Sequence, residues 1–303
     1  MVDLDKIFGP KSDLLAWKNR KPAVLIRHGI FSSNKPFEGL QGKIDRFFGS
    51  PLTYNDSYDW KKSVLRNGFE LANEVFVQPK YHDRPIIFIG HSMGGLIIRV
   101  ANALLTDVGF RKDLHLLAKP LGYSHEDIEI WKKTELRKSE TKHEQIVGIV
   151  TLATPNSGAV LHGQVSGIGA LVHGAVQLFA PAGCESIADL TTARIFLLLE
   201  YAKSSTPMLS ISGSRFNRLA RGSGQLASWG TKFGIKMEYP HDGIVEDRSV
   251  DLAHSVIANE VTHLGTAPYL HMRAYRTCTL VSHIEIYDNP EIQDSVFDFM
   301  QRV

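Results

Sequence analysis

An α/β protein with a mostly parallel central sheet flanked by helices is the fold class that the sequence predicts. Two observations carry the prediction. Short apolar runs alternate with longer stretches of helical periodicity. Several of those runs are apolar at every position, as suits a strand covered on both faces. The chain has 303 residues, 43% of them hydrophobic and 22% charged, enough to bury a large core. No internal repeat or low-complexity tract interrupts it, so it reads as one domain over 1–303.

Taken in order, Ala23-Val24-Leu25-Ile26 is a buried strand that ends at Arg27-His28-Gly29. Leu52 to Trp60 holds a second strand, closed by Tyr58-Asp59-Trp60, with Asp59 placed to cap the next helix. Lys62 to Val77 has one apolar side and reads as that helix. Pro85-Ile86-Ile87-Phe88-Ile89 is a third strand, running into Gly90, and Leu96 to Leu105 a helix apolar nearly all round. An insertion follows at about 107–144, whose Lys- and Glu-rich second half, Lys132 to Glu144, reads as a solvated face. Ile146 to Val150 resumes the sheet and leads into Thr151-Leu152-Ala153-Thr154-Pro155. A second insertion spans about 156–206. Pro207 to Ile211 and Tyr275 to Val281 are the last strands, and Ile292 to Met300 a closing helix.

Composition narrows the function. A net charge of +2 offers no basic stripe for nucleic acid. The two cysteines, Cys184 and Cys278, are too few for a disulfide framework. Met1 to Lys6 opens with acids and lacks the apolar region of a secretory signal, which points to the cytoplasm. No apolar run is long enough to span a membrane. Thirteen histidines raise the question of a metal, but there is no H-E-x-x-H and no paired C-x-x-C, and no Rossmann or phosphate-loop glycine pattern appears. Neither a metal nor a cofactor is expected. The sequence leaves the oligomeric state open.

Gly90-His91-Ser92-Met93-Gly94 matches G-x-S-x-G, and it lies between a buried strand and a buried helix. A nucleophilic serine there must stand on a sharp, strained turn, where side chains at −2 and +2 would clash. Gly95 lets the following helix approach the strands. These are the sequence requirements for an exposed, activated Ser92.

The segment from Ile86 to Arg99 resembles the nucleophile elbow of serine esterases and lipases of the α/β-hydrolase superfamily. Tyr58-Asp59-Trp60, Thr151 to Pro155 and Asp242-Gly243-Ile244-Val245 resemble segments of its lipase-like branch, and the similarity spreads from about residue 23 to 302. The resemblance implies an α/β-hydrolase fold with a helical cap and the chain order serine, acid, histidine. Ser92 is then the nucleophile. His283 follows the last strand and heads the loop before the terminal helix, where the family places its base; His271 and His263 are alternatives. Asp242, 41 residues upstream of His283 in an Asp-Gly turn, is the acid, with Glu246, Asp247 and Asp251 nearby. Met93 N–H and, by analogy with His-Gly-x loops of lipases, Ile30 N–H form the oxyanion hole.

The function so implied is hydrolysis of a carboxylic ester, lipid-like or hydrophobic, through an acyl-enzyme. An acyltransferase or thioesterase with the same triad, or a non-catalytic binding scaffold, are the rivals. In the second insertion Leu161, Val165, Ile168, Val172, Val176 and Phe179 recur at helical spacing, interrupted by glycines. This stripe reads as a lid helix or a permanently packed cap, and a lipid substrate would bring it to a membrane surface.

Overall fold

Strand β1 (Ala23–Arg27) is buried along its whole length, and so is β3 (Ile86–His91) beside it. The structure is a computed structural model that describes residues 4–13, 19–30, 32–49, 51–139, 145–156, 160–161, 164–165, 184–191, 194–202, 206–213, 269–273 and 286–303. Strands β2 (Thr53–Tyr54), β4 (Ile146–Leu152), β7 (Met208–Ser212) and β8 (Tyr269–Arg273) complete a sheet of order β2-β1-β3-β4-β7-β8 in which every pairing is parallel. Alternate residues of its apolar runs serve opposite layers. Leu25, Phe88 and Ile149 face one side with α3 (Val64–Val77) and α4 (Met93–Thr106). Val24, Ile26, Ile87, Ile89 and Val150 face the other, with α1 (Leu4–Phe8), α2 (Glu38–Phe48) and α10 (Pro290–Met300). Burial on both faces is why these strands lack the polar alternation of a half-exposed sheet.

The edges depart from the sequence reading. The second strand covers only Thr53–Tyr54, because Asp45 takes the N–H groups of Leu52 and Thr53 at 2.9 and 3.0 Å and the polar run beyond leaves the sheet. Ser63, not Asp59, caps α3: its hydroxyl accepts the Arg66 N–H at 3.0 Å, whereas Asp59 lies too far upstream and accepts from Lys61 N–H in the preceding turn. Strand β8 at 269–273 was not anticipated, although Leu270 and Met272 alternate with His271 and Arg273. The expected strand at 275–281 lies outside the described residues. A further correction concerns Leu161 and Val165. They belong to β5 (Val160–Leu161) and β6 (Gln164–Val165), an antiparallel pair, and so cannot open a helical stripe. The rest of the stripe, from 166 onward, lies outside the described residues.

The first insertion contains α5 (Val108–Ala118), α6 (His125–Lys133) and α7 (Glu135–Lys138). Lys133, Glu135, Arg137 and Lys138 are exposed, but Leu136 among them, and Trp131 just before, are buried in the core beside α3. The second insertion ends in α8 (Glu185–Thr191), clasped onto the N-terminus of α3, and α9 (Arg194–Glu200). Asp189 accepts the Val64 N–H at 2.5 Å and Glu185 the Ser63 N–H at 3.2 Å, so both carboxylates meet otherwise unsatisfied donors at the positive end of a helix. Arg194 pairs with Asp189 and lies 4.4 Å above the Tyr123 ring.

Burial outweighs these partners and pushes the Asp189 carboxyl up to about 6. An acid whose pKa rises on folding contributes stability below its unfolded value, near 3.8, and loses it as pH climbs through about 6. Lowering the pH from 7 to 5 should therefore stabilise the wild type by about 1 kcal/mol relative to Asp189→Asn. Urea denaturation of both proteins at the two pH values checks this; a pH-independent difference contradicts it.

Candidate active site

At the C-terminal end of β3 the chain turns through Ser92, with φ 53° and ψ −128°, directly into α4. A serine in this region stores roughly 1–3 kcal/mol of strain and persists only where its surroundings leave no alternative. Here the Ser92 N–H donates to the Leu152 carbonyl at 2.9 Å, and the Ser92 carbonyl accepts the Gly95 N–H at 3.0 Å. Three glycines make room. A Cβ on Gly90 would stand 2.5 Å from the Gly95 Cα; one on Gly94 would strike the carbonyl oxygens of Arg27 and His28; one on Gly95 would strike Thr154. Strand, helix, the loop after β1 and the exit of β4 thus meet at Ser92. Met93, buried, is the first residue of α4, where helix N–H groups lack intrahelical partners.

The loop after β1 lies against the serine. A Cβ on Gly29 would be 2.8 Å from Ser92 Cβ and 3.3 Å from its Oγ, so only glycine allows this approach. His28 is buried, and its Nδ1 lies 2.8 Å from the Gly29 carbonyl. Burial chiefly, and Arg27 beside it, lower the His28 pKa against the raising effect of that hydrogen bond, which favours the neutral ring. Tyr58 stacks on the imidazole, with centroids 4.3 Å apart, and donates its hydroxyl to the His28 carbonyl at 2.6 Å. Its burial drives the phenol pKa well upward, so it stays a donor. Sequence reasoning took Tyr58 only as part of a family-like segment at a strand end, since no local pattern reveals a partner 30 positions away. Ile30 follows, half-buried against the core.

Beyond β4, Ala153 also has positive φ, 49°, and its N–H donates to the Ile211 carbonyl at 2.7 Å. Thr154 is buried beneath Gly95. Asn156 binds Thr151 and Ser210 hydroxyls at 3.1 Å each, and its carbonyl accepts from Arg99 of α4 at 2.9 Å.

Asp242 and His283 lie outside the described residues, as do His263, Glu246, Asp247 and Asp251. His271 falls within β8, paired in register with Ser210. Because the sheet is parallel, β3, β4, β7 and β8 all end at the edge where Ser92 stands. The chain returns at Ile286, three residues after His283, and the Tyr287 ring packs 5.4 Å from the ring of His91, the neighbour of Ser92. Among the described residues no group of three His, Cys, Asp or Glu could hold a metal ion, and no helix is long and apolar enough to cross a membrane.

No family model and no curated protein matches the chain. Solved structures do. Staphylococcus hyicus lipase superposes with a TM-score of 0.58 at 15% identity, covering 93% of this chain and 96% of the lipase. EstA from Clostridium botulinum gives 0.56 at 16% identity, covering 93% and 88%. The chain has the α/β-hydrolase fold. Mature Bacillus licheniformis lipase BlEst2 gives 0.54 at 15% identity over 94% and 93%. At these identities the likeness concerns architecture. Within this fold, the serine-bearing turn and the glycine loop beside it are properties of this chain's own residues.

The glycine contacts can be tested without activity. Gly94→Ala should cost about 2 kcal/mol or more, because backbone oxygens cannot yield to the new methyl. Gly42→Ala in α2, where the nearest atom is 3.6 Å away, should stabilise by about 0.5–1 kcal/mol. Equal effects in urea denaturation would contradict this account.

Proposed function

We propose that the protein is a serine hydrolase that cleaves carboxylic esters of apolar acyl groups through an acyl-enzyme. The observation that carries this reading is Ser92 held at positive φ between β3 and α4, with Gly29 against its side chain. Ser92 is buried at the carboxyl edge of the parallel sheet, not exposed as expected, and a strained serine is costly to keep there; nucleophilic attack is the use that accounts for it.

In this reading Ser92 Oγ attacks the ester carbonyl carbon while His283 takes its proton. The tetrahedral oxyanion receives the N–H groups of Ile30 and Met93, each worth about 3 kcal/mol of barrier. Collapse expels the alcohol, which takes the proton from His283, and leaves an acyl group on Ser92. His283 then draws a proton from water as its oxygen attacks the acyl carbonyl; the second collapse breaks the acyl–Oγ bond, releases the acid and returns the proton from His283 to Ser92. Asp242 orients His283 and balances its charge. The return of the chain at Ile286 and Tyr287, next to His91, supports the placement of His283 within reach of Ser92. The approach of Gly29 supports the role of Ile30, and the position of Met93 at the start of α4 supports its own. No cofactor enters the scheme.

We propose one domain over 1–303, with residues 156–206 as the cap above the sheet edge and the surface that receives the acyl chain. Within its last part, α8 is docked on α3. The lipases that share the fold support an apolar ester as substrate.

Turnover of p-nitrophenyl esters from short to long acyl chains tests this. Ser92→Ala and His283→Ala should each lose at least about a thousandfold in kcat, and Asp242→Asn should also be severely impaired. A long-chain optimum is expected. Wild-type rates in Ser92→Ala would end the proposal, and a strict short-chain preference would remove the apolar-substrate part of it.

A further inference from the structure

The loop that carries the Ile30 N–H has no regular secondary structure to hold it, and a peptide unit in such a loop can rotate. The hydrogen bonds around His28 restrict that rotation. The Gly29 carbonyl and the Ile30 N–H belong to one planar, trans peptide unit, so they point in opposite directions. The Gly29 carbonyl faces the His28 ring, 2.8 Å from Nδ1. A carbonyl can only accept, so Nδ1 carries the proton and donates. That contact aims the Ile30 N–H away from the buried imidazole, while Gly29 itself lies against Ser92.

The ring is held in turn. Tyr58 lies flat on it, 21° from parallel, and the Tyr58 hydroxyl grips the carbonyl of the same His28. That carbonyl also lies against the nucleophile helix, where a Cβ on Gly94 would strike it. Two successive peptide units, those of 28–29 and 29–30, are therefore pinned by side chains that do not reach Ser92 in any contact described above.

We propose that His28 and Tyr58 form a clasp that fixes the orientation of the Ile30 N–H, which makes them positioning residues for the oxyanion. The inference rests on the serine-hydrolase reading. It assigns the pair no proton transfer and no contact with substrate. Their contribution is to have the donor aimed before the oxyanion forms, so that no reorganisation is needed at the transition state.

The clasp separates kcat from KM. Tyr58→Phe keeps the stack and loses one neutral hydrogen bond, so kcat should fall about tenfold with KM changed less than twofold. His28→Ala frees the Gly29–Ile30 peptide, and kcat should fall about a hundredfold. His28→Asn, whose side-chain amide can donate to the same carbonyl, should recover at least about tenfold of that loss. Affinity for an alkyl boronic acid, whose adduct with Ser92 places an anionic oxygen in the oxyanion hole, should fall in proportion to kcat. Melting temperatures of the three variants provide the control. If His28→Ala melts early, the comparison of Tyr58→Phe with wild type carries the test alone. Wild-type kcat and boronate affinity in Tyr58→Phe would overturn the clasp while leaving the hydrolase reading intact. Absence of Ser92-dependent ester hydrolysis in the wild type would overturn both.

Discussion

Everything about the site depends on the backbone at Ser92. A non-glycine residue with φ near 53° relaxes unless it is trapped, and four elements trap it. Its N–H is held by Leu152 of β4, its carbonyl by Gly95 of α4, its side chain lies against Gly29 of the β1 loop, and Thr154 closes over Gly95. The contacts at Gly29 and Gly95 require glycine there, because a single methyl group would separate the chains. The turn is therefore a product of the sheet order, which sets β1 and β4 on either side of β3.

The two apolar layers supply the rigidity that such a turn needs. Alternate residues of β1, β3 and β4 run into separate cores, so neither face of the sheet can shift without opening the other. The polar exceptions lie at the sheet's carboxyl edge. Thr151, Ser210, Asn156 and Arg99 satisfy one another there and tie α4 to the loop after β4. His28 and Tyr58 tie down the loop after β1. The Ser92 turn thus sits between two polar ties, an arrangement that leaves it little room to move.

How much of this was legible depends on the range of the interactions. The strands at 23–27 and 86–91 were readable because burial on both faces leaves an unbroken apolar run. The elbow was readable because its glycines are adjacent in sequence to the serine they serve. The antiparallel pair β5–β6 was misread because Leu161 and Val165, four apart, satisfy the helical spacing as well as they fit paired strands. Trp131 and Leu136 hid among lysines and glutamates, since short helices expose most of their circumference and anchor by one or two side chains. The Tyr58–His28 contact joins segments 30 residues apart and leaves no local pattern. Asp242 and His283 were named by resemblance and chain order, and nothing local in their segments marks them as partners of Ser92.

The central claim is that Ser92 is an activated nucleophile, and covalent labelling addresses it without any choice of substrate. Wild type and Ser92→Ala would be treated with an alkyl fluorophosphonate at neutral pH and the modified peptide mapped by mass spectrometry. One adduct on Ser92, absent from the variant, is the predicted result. An unmodified Ser92, or equal labelling of both proteins, would contradict the account.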